Sequence, residues 1–164
     1  MLQTSPAASQ GFCLGHLAAG DSNCPPGPVW RREVRVDTIS GKVLAVSGDA
    51  EAGQLWAGAL RWCGADVAVA WSAPEALDAL EQGGFDLILV DAYVHLDGVE
   101  LCRQIRSRTV SPILLLVPGA DEACLLDGYR AGADECVLKP IGPAVLLAKV
   151  NAWLRHRSPS VPRP

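Results

Sequence analysis

Two side chains of opposite charge follow apolar runs that are typical of buried β-strands. Asp91 comes directly after the run DLILV, and Lys139 follows the run CVL. Because ligands bind outside the carboxyl ends of the strands in an open parallel sheet, we expect both side chains at one edge of the sheet. A carboxylate and an ammonium that converge there can hold an anionic group or form a salt bridge with each other. When such a pair is exposed, it is often only an ion pair of about 0 to 1 kcal/mol.

The cysteine content favours reduced thiols over a disulfide scaffold. Six of the 164 residues are cysteine, which is below the roughly 8 to 10% at which a disulfide scaffold becomes the usual interpretation. Four of them lie in apolar periodic stretches, and this indicates buried thiols that pack as small hydrophobic groups. Cys13, His16 and Cys24 form an alternative metal-ligand set, but it lacks the fourth ligand of a structural zinc site.

Three further side chains near the predicted sheet edge admit both a chemical and a structural interpretation. His95, four residues beyond Asp91, can act as a metal ligand, a phosphate contact or a pH-sensitive group, but an exposed loop histidine is the simpler interpretation. Cys136 can act as a redox sensor made acidic by Lys139, although a buried strand cysteine is more ordinary. Trp71 follows the second predicted strand, and we expect it to pack rather than to stack on a ligand.

Short β-type runs alternate with helical periods between residues 42 and 157, and this pattern predicts an α/β fold with a parallel sheet. The third and fourth strands are continuously apolar, as is expected of strands covered on both faces, and they should lie at the centre. The second helix should begin at Ser72 with a capping box to Glu75 and end at the glycines 83–84. The predicted strands cover residues 43–46, 67–70, 86–90, 113–117 and 136–138.

Composition and the two ends of the chain limit the function further. The chain is 49% hydrophobic with a net charge of −4, which excludes overall disorder and makes DNA binding by this chain alone a poor candidate. No apolar run approaches the roughly 18 residues of a membrane helix, so we expect no membrane contact and a cytoplasmic location. Residues 1–41 are predicted as a flexible extension. Within it, residues 29–39 would suit a short edge strand or a docking segment, but a solvated leader is the favoured interpretation. Residues 158–164 read as the start of a proline-rich linker to an output domain.

The order of these motifs resembles the receiver domain of bacterial two-component response regulators. The likeness covers residues 42–157 and rests on DLILVD, the Asp97-Gly98 turn before ELCRQIR, GADECVLKP and the terminal helix LLAKVNAWLRH. It implies a five-stranded flavodoxin-like sheet flanked by five helices, in a signalling module rather than an enzyme. Asp91 matches the family's phosphoacceptor, and Lys139 matches the lysine that contacts the phosphoryl group. In that chemistry a carboxylate oxygen attacks a phosphohistidine while a divalent cation offsets the charge.

The sequence departs from the family pattern where the family binds metal. Ser47 and Gly48 stand at the positions of two adjacent carboxylates, and the only nearby acid, Asp49, falls at the helix start. We therefore interpret Asp49 as a helix N-terminal charge rather than a ligand. Since magnesium demands near-octahedral oxygen ligation, we expect no cofactor and weak or absent Mg²⁺ binding.

The positions that change conformation on activation in this family also differ. Val117 replaces a hydroxyl residue and offers no hydrogen-bond donor, and Cys136 replaces a Tyr or Phe. We therefore expect any conformational shift to come from a ligand or partner that binds one state better. Without the acid pair, Asp91 should form a direct salt bridge with Lys139.

These residues predict an atypical receiver domain, the regulatory part of a transcriptional regulator, that works without efficient phosphorylation. One alternative is a conventional Mg²⁺-dependent phosphoacceptor at Asp91 in a phosphorelay, and another is a pseudo-receiver that senses a small molecule in the vacated acidic pocket. The expected partners are a sensor histidine kinase or a small molecule, DNA only through an output domain, and a second copy of the chain. The resemblance to winged-helix regulators implies that this homodimer forms through the fourth helix, fifth strand and fifth helix. Its charged residues would be Asp127, Arg130, Asp134, Glu135 and Lys149.

Overall fold

The computed structural model describes residues 38–93, 96–119 and 122–157, in which five strands and five helices alternate along the chain. The strands are β1 (Lys42–Ser47), β2 (Asp66–Ala70), β3 (Leu87–Asp91), β4 (Ile113–Pro118) and β5 (Glu135–Lys139). The helices are α1 (Ala50–Trp62), α2 (Ala73–Gln82), α3 (Gly98–Arg106), α4 (Glu122–Arg130) and α5 (Pro143–Arg157). The predictions for residues 1–37 and 158–164 and for His95, including the Cys13, His16 and Cys24 set, lie outside the described residues.

All four strand pairs are parallel, and the sheet order is β2-β1-β3-β4-β5. The prediction of a five-stranded parallel α/β fold is therefore confirmed. The chain reverses its direction of winding between β1 and β3, which is the position where open α/β sheets place their ligand sites. At this point the register pairs Ser47 directly with Asp91.

Alternation along the central strands divides the apolar core into two layers. On β4, Leu114 and Leu116 pack into the layer covered by α1 and α5, whereas Leu115 and Val117 pack into the layer covered by α2, α3 and α4. All four are fully buried. Helices on both faces explain why this strand is a continuous apolar run rather than an alternating one.

Side-chain caps fix where the helices begin. Asp97 caps α3 by accepting hydrogen bonds from the amides of Val99 and Glu100. The predicted cap of α2 is present, since Ser72 Oγ accepts from the Glu75 amide at 3.4 Å. The Glu75 carboxylate reaches one residue further back than expected and accepts from the Trp71 amide at 2.8 Å. The Asp97 and Ser72 side chains thus satisfy amides of the first turn that would otherwise lack partners.

The packed part of the chain begins upstream of the predicted boundary at residue 41. Ile39 is fully buried in the layer formed by α1 and α5. Its amide donates to the Cys63 carbonyl at 2.8 Å, at the end of α1. Residues 38–41 are thus attached to the domain, at least in part, rather than belonging to a solvated extension. Among the described residues, none of the helices is long and apolar enough to cross a membrane.

Candidate functional site

The predicted carboxylate and ammonium meet at the carboxyl edge of the sheet. The Asp91 side chain is 2% exposed, and the Lys139 side chain reaches it from the end of β5 and is 22% exposed. Lys139 Nζ lies 2.6 Å from Asp91 Oδ1 and donates a second hydrogen bond to the Ala92 carbonyl at 2.7 Å. The direct salt bridge expected between them is therefore present. In a buried ion pair of this kind each charge depends on the other, because removing either member leaves a buried charge without a partner.

The second oxygen of the Asp91 carboxylate is also bonded. Ser47 Oγ lies 3.1 Å from Asp91 Oδ2. The same hydroxyl lies 3.0 Å from the Asp49 carbonyl and accepts from the Asp49 amide at 3.2 Å. Its single proton serves one acceptor at a time, and a charged carboxylate is the stronger one. Both carboxylate oxygens of Asp91 are thus engaged by side chains of this chain.

The loop after β3 covers the ammonium. The Tyr93 and Leu96 backbones bond to each other, with the Leu96 amide donating to the Tyr93 carbonyl at 2.9 Å. The resulting turn places the Tyr93 ring with its centroid 5.7 Å from Lys139 Nζ, within range of a cation–π interaction. Among the described residues, Lys139 therefore contacts a carboxylate, a carbonyl and an aromatic face. Sequence reasoning did not single out Tyr93, although an aromatic residue two positions after a strand-end aspartate is a signal that could have found it.

Gly48, one of the two positions predicted to replace the family's carboxylates, lies close to the loop after β3. A Cβ atom on Gly48 would lie 3.1 Å from Leu96 Cβ and 3.6 Å from Tyr93 Cβ, so the loop packs where a second carboxylate would begin. Asp49 is the N-cap of α1, and its Oδ1 accepts from the Glu51 amide at 2.9 Å. This agrees with its interpretation as a helix N-terminal charge.

The donor set at this edge does not fit a magnesium site. Among the described residues, no group of three metal-ligating side chains occurs. Asp91 supplies a single carboxylate whose oxygens are already bonded to Lys139 and Ser47. Magnesium needs several oxygen ligands in near-octahedral geometry, which one occupied carboxylate cannot supply. The expectation of weak Mg²⁺ binding stays a prediction that this geometry supports.

Val117 and Cys136, the two positions predicted to differ from the family's switch residues, lie in the core layer covered by α3 and α4. Val117 is fully buried. Cys136 packs against Gly128 of α4, where an added Cβ would lie 2.6 Å from its Sγ. Burial, with smaller effects of Cys102, Cys124 and Glu135, raises the pKa of the Cys136 thiol to about 11. The hypothesis that Lys139 makes this thiol acidic is therefore wrong, because desolvation favours the neutral thiol.

Trp71 packs over α1 as well as lining the surface. A Cβ on Gly53 would lie 2.7 Å from a Trp71 ring carbon, so α1 approaches the indole closely only because this residue is glycine. The Trp71 residue is nevertheless 38% exposed. The Trp71 side chain therefore packs against α1, as expected, while part of its ring is exposed to solvent.

The charged residues of the predicted homodimer surface bind partners within the same chain. Arg130 donates to Asp127 at 3.3 Å within α4, and Lys149 of α5 forms an ion pair with Glu135 of β5. Partial burial opposes ionisation of Glu135, but hydrogen bonds from Lys149 and Trp153 outweigh it and lower its pKa.

The fifth residue predicted for that surface turns towards another helix. Asp134 forms an ion pair with Arg106 of α3, and its Oδ2 accepts from the Ile113 amide at 2.8 Å. Because Asp134 directly precedes β5, this ion pair links the start of β5 to α3. The place of Asp134 on the predicted homodimer surface stays a prediction.

A parallel sheet in this order, with a buried aspartate at the end of β3 held by a lysine at the end of β5, defines a receiver-type signalling domain. The family model for the response regulator receiver domain matches residues 43–151, and the chain belongs to this family. The DNA-binding response regulator MtrA of Mycobacterium tuberculosis is 33% identical over 122 residues, which cover 74% of this chain and 54% of that protein. This chain therefore spans about half the length of that relative.

Two further comparisons agree with this family. The transcriptional regulatory protein ResD of Bacillus subtilis is 38% identical over 85 residues, or 51% of this chain and 35% of that protein. The crystal structure of a two-component response regulator from Clostridium difficile matches with a TM-score of 0.67 and 30% identity, covering 73% of this chain and 99% of that chain. The flavodoxin-like receiver fold implied by the sequence motifs is thus confirmed.

Proposed function

We propose that this receiver domain regulates a transcriptional output without relying on efficient phosphorylation of Asp91. Receiver domains of this family usually interact with sensor histidine kinases, and relatives of this chain are named as DNA-binding or transcriptional regulators. That kinship supports the proposal of a cytoplasmic signalling module that acts on DNA through an output domain. The observation that supports inefficient phosphorylation is the state of the Asp91 carboxylate, whose two oxygens are bonded to Lys139 and Ser47.

This geometry works against phosphoryl transfer in two ways. Transfer needs a carboxylate oxygen that is free to attack in line, and here each oxygen must first lose a hydrogen bond. Charge also accumulates on the phosphoryl oxygens, and a divalent cation usually offsets it. Ser47 and Gly48 supply no carboxylate for such a cation. We therefore treat phosphorylation of Asp91 as inefficient and the conventional phosphoacceptor as the competing hypothesis.

Intact-mass spectrometry tests this proposal directly. After incubation of the chain with millimolar Mg²⁺ and acetyl phosphate, we expect little or no species heavier by one phosphoryl group. A receiver domain that retains both carboxylates is the positive control, and Asp91→Asn identifies any modification elsewhere. Ready, stoichiometric phosphorylation that Asp91→Asn abolishes would establish the conventional phosphoacceptor instead.

Ser47→Asp is the matched gain-of-function variant. It removes the hydroxyl that binds Asp91 and adds a carboxylate beside it, so we expect Mg²⁺-dependent phosphorylation to rise above that of the parent. Gly48→Asp should give less, because its Cβ would meet Leu96 at 3.1 Å and the loop would have to move. Equal, undetectable phosphorylation in the parent and Ser47→Asp would show that the acid pair is not what limits the reaction.

We further propose that the surface formed by α4, β5 and α5 pairs two copies of the chain. Exposed apolar side chains from all three elements support this proposal, and the pairs Asp127–Arg130 and Glu135–Lys149 add both signs of charge beside them. Apolar contacts with a charged rim are typical of a symmetric interface. The exposed apolar residues are Leu126, Tyr129, Leu138 and Val145.

Sedimentation velocity with a matched pair of variants tests this surface. Leu126 on α4 is 53% exposed and Leu55 on α1 is 56% exposed, so both can be changed to arginine without a core penalty. We expect Leu126→Arg to reduce self-association and Leu55→Arg to leave it unchanged. A parent chain that stays monomeric at high concentration, or equal effects of the two variants, would contradict the proposed surface.

A further inference from the structure

We propose that a cleft beside Gly48 binds a small organic cation with a flat apolar body. Binding itself does not depend on how Asp91 reacts. Its role as a regulatory input rests on the proposed function, in which phosphorylation does not set the state of the domain. The cleft lies at the carboxyl edge of the sheet, between the N-terminal ends of α2 and α3, and has a volume of about 340 Å³. This volume is at the lower end of the range of small-molecule sites.

The walls of the cleft are largely apolar and include one exposed aromatic surface. Trp71 stands on one side, Pro74 closes the α2 end, and Leu96 and Leu101 close the side of the loop and α3. Since the indole is partly exposed, a flat ring can stack on it. The face of an indole also attracts a cation within about 6 Å of its centroid. These walls favour a planar apolar body that carries a positive charge.

The polar lining is acidic. Among the described residues that line the cleft, none is basic, whereas Asp97 and Glu100 are both present. Glu100 also pairs with the exposed Arg103, which leaves the rim with one net negative charge when all three are counted. The amides at the start of α3 do not offset this, because Asp97 Oδ1 already accepts from the Val99 and Glu100 amides. The rim therefore attracts a cation rather than an anion.

A second cleft on the other side of Trp71 provides an internal comparison. It lies between α1 and β2 and is lined by Gln54, Arg61, Val69 and the same indole. Arg61 gives this cleft a basic group, although its Nη2 also donates to the Val67 carbonyl at 2.7 Å. Two clefts that share one aromatic wall thus carry opposite charges. A cationic ligand should choose the cleft beside Gly48.

An occupant of the first cleft would touch the loop that covers the Asp91–Lys139 pair. Gly48 and Leu96 both line the cleft. Leu96 is bonded to Tyr93, whose ring lies over Lys139. A ligand that binds better to one position of this loop would shift the population of that position, and the loop would in turn alter the ligand's affinity.

Heteronuclear NMR titration of the ¹⁵N-labelled full chain tests the site with two probes of matched shape. Tryptamine is flat and cationic, whereas indole-3-propionate is flat and anionic. We expect tryptamine to shift the Gln104 side-chain amide and the Gly48 amide saturably, with little change at the Gln54 side-chain amide, which reports the second cleft. Indole-3-propionate should bind the Gly48 cleft more weakly.

Three variants locate the contacts that matter. Trp71→Leu should weaken tryptamine binding about 5-fold or more, through the lost stacking and cation–π contacts. Glu100→Gln should weaken it about 2- to 5-fold, which is the scale of one solvent-exposed charge at close range. Glu51→Gln removes the same charge from the first turn of α1, outside the cleft, and should change nothing. Glu100 is exposed, so we expect Glu100→Gln to fold normally. It therefore tests binding of tryptamine in this cleft even if Trp71→Leu impairs folding.

Three results would overturn the site. These are no saturable shift at Gln104, equal affinity for the two probes, and equal effects of Glu100→Gln and Glu51→Gln. Failure of the site is distinguishable from failure of the proposed function, because the titration uses no phosphodonor. Tryptamine binding together with ready phosphorylation of Asp91 would leave the cleft standing and overturn only the proposed function.

Discussion

Lys139→Met and Asp91→Asn are expected to lower the free energy of unfolding by about 2 to 5 kcal/mol, with Lys139→Met giving the larger loss. The order follows from burial. Asp91 is 2% exposed, so removing its lysine leaves a buried carboxylate with the Ser47 hydroxyl as its remaining side-chain partner. Lys139 is 22% exposed and can turn towards water when its carboxylate is lost.

Urea denaturation of the single and double variants measures this directly. The double variant should be less destabilised than the sum of the singles, because it leaves neither charge unpaired. Asp91→Glu keeps the charge and should cost less than Asp91→Asn, and high salt should reduce the Asp91→Asn loss if water enters the pocket. An Asp91→Asn protein as stable as the parent would mean that the aspartate does not depend on its lysine. The conventional phosphoacceptor would then be the better hypothesis.

Ile39→Ala is expected to cost about 2 to 5 kcal/mol of unfolding free energy, as is typical of a fully buried isoleucine. This residue lies before β1, yet it fills part of the layer between α1 and α5, and its amide bonds to Cys63. Its loss should leave a cavity, since the sheet and both helices restrict collapse around it. Val110→Ala is the matched control. At 89% exposure it should shift stability by no more than about 0.5 kcal/mol.

Thermal and chemical denaturation of both variants check this prediction. If Ile39→Ala lowered the unfolding free energy as little as Val110→Ala, residue 39 would not be part of the unit that unfolds cooperatively. In that case the boundary predicted at residue 41 would be correct in energetic terms, whatever the packing at Ile39.

The fold could be predicted because its signals are local. Continuous apolar runs fixed β3 and β4 to within one residue at each end, and the glycines at 83–84 marked the end of α2. Asp49, Ser72 and Asp97 all occupy cap positions, and short polar side chains favour these because they bond to the free amides of the first turn. The order of strands in the sheet has no such local signal, and it followed from the likeness to a known family.

The site could be predicted only where one general rule places its residues. Asp91 and Lys139 converge because parallel strands end at the same edge of the sheet. Leu96 was missed because loop residues have no period that reveals which way they turn, and Tyr93 was missed although it follows the strand-end Asp91 by two positions. The ion pair of Asp134 could not be predicted for a similar reason, since its partner Arg106 lies 28 positions away on α3.

Contacts made by single residues were missed as well. Ile39 ends the segment that was considered for docking, but a single apolar residue gives no sign in the sequence of whether it is buried. For Cys136 the sequence left two interpretations, a buried strand cysteine, which was favoured, and an acidic thiol beside Lys139. Burial instead raises the pKa of that thiol, and burial cannot be judged from spacing alone.

The Lys139 side chain acts towards Asp91 as a counter-ion that is attached to the protein. Its effective concentration at the carboxylate is set by the length of its side chain and by the end of β5, not by the solution. Any dissolved cation must compete with this tethered one, and each 1.4 kcal/mol by which the internal pair is favoured lowers the apparent affinity of the competitor about tenfold. The electrostatic state of the site is therefore expected to stay constant while the magnesium concentration around the protein changes.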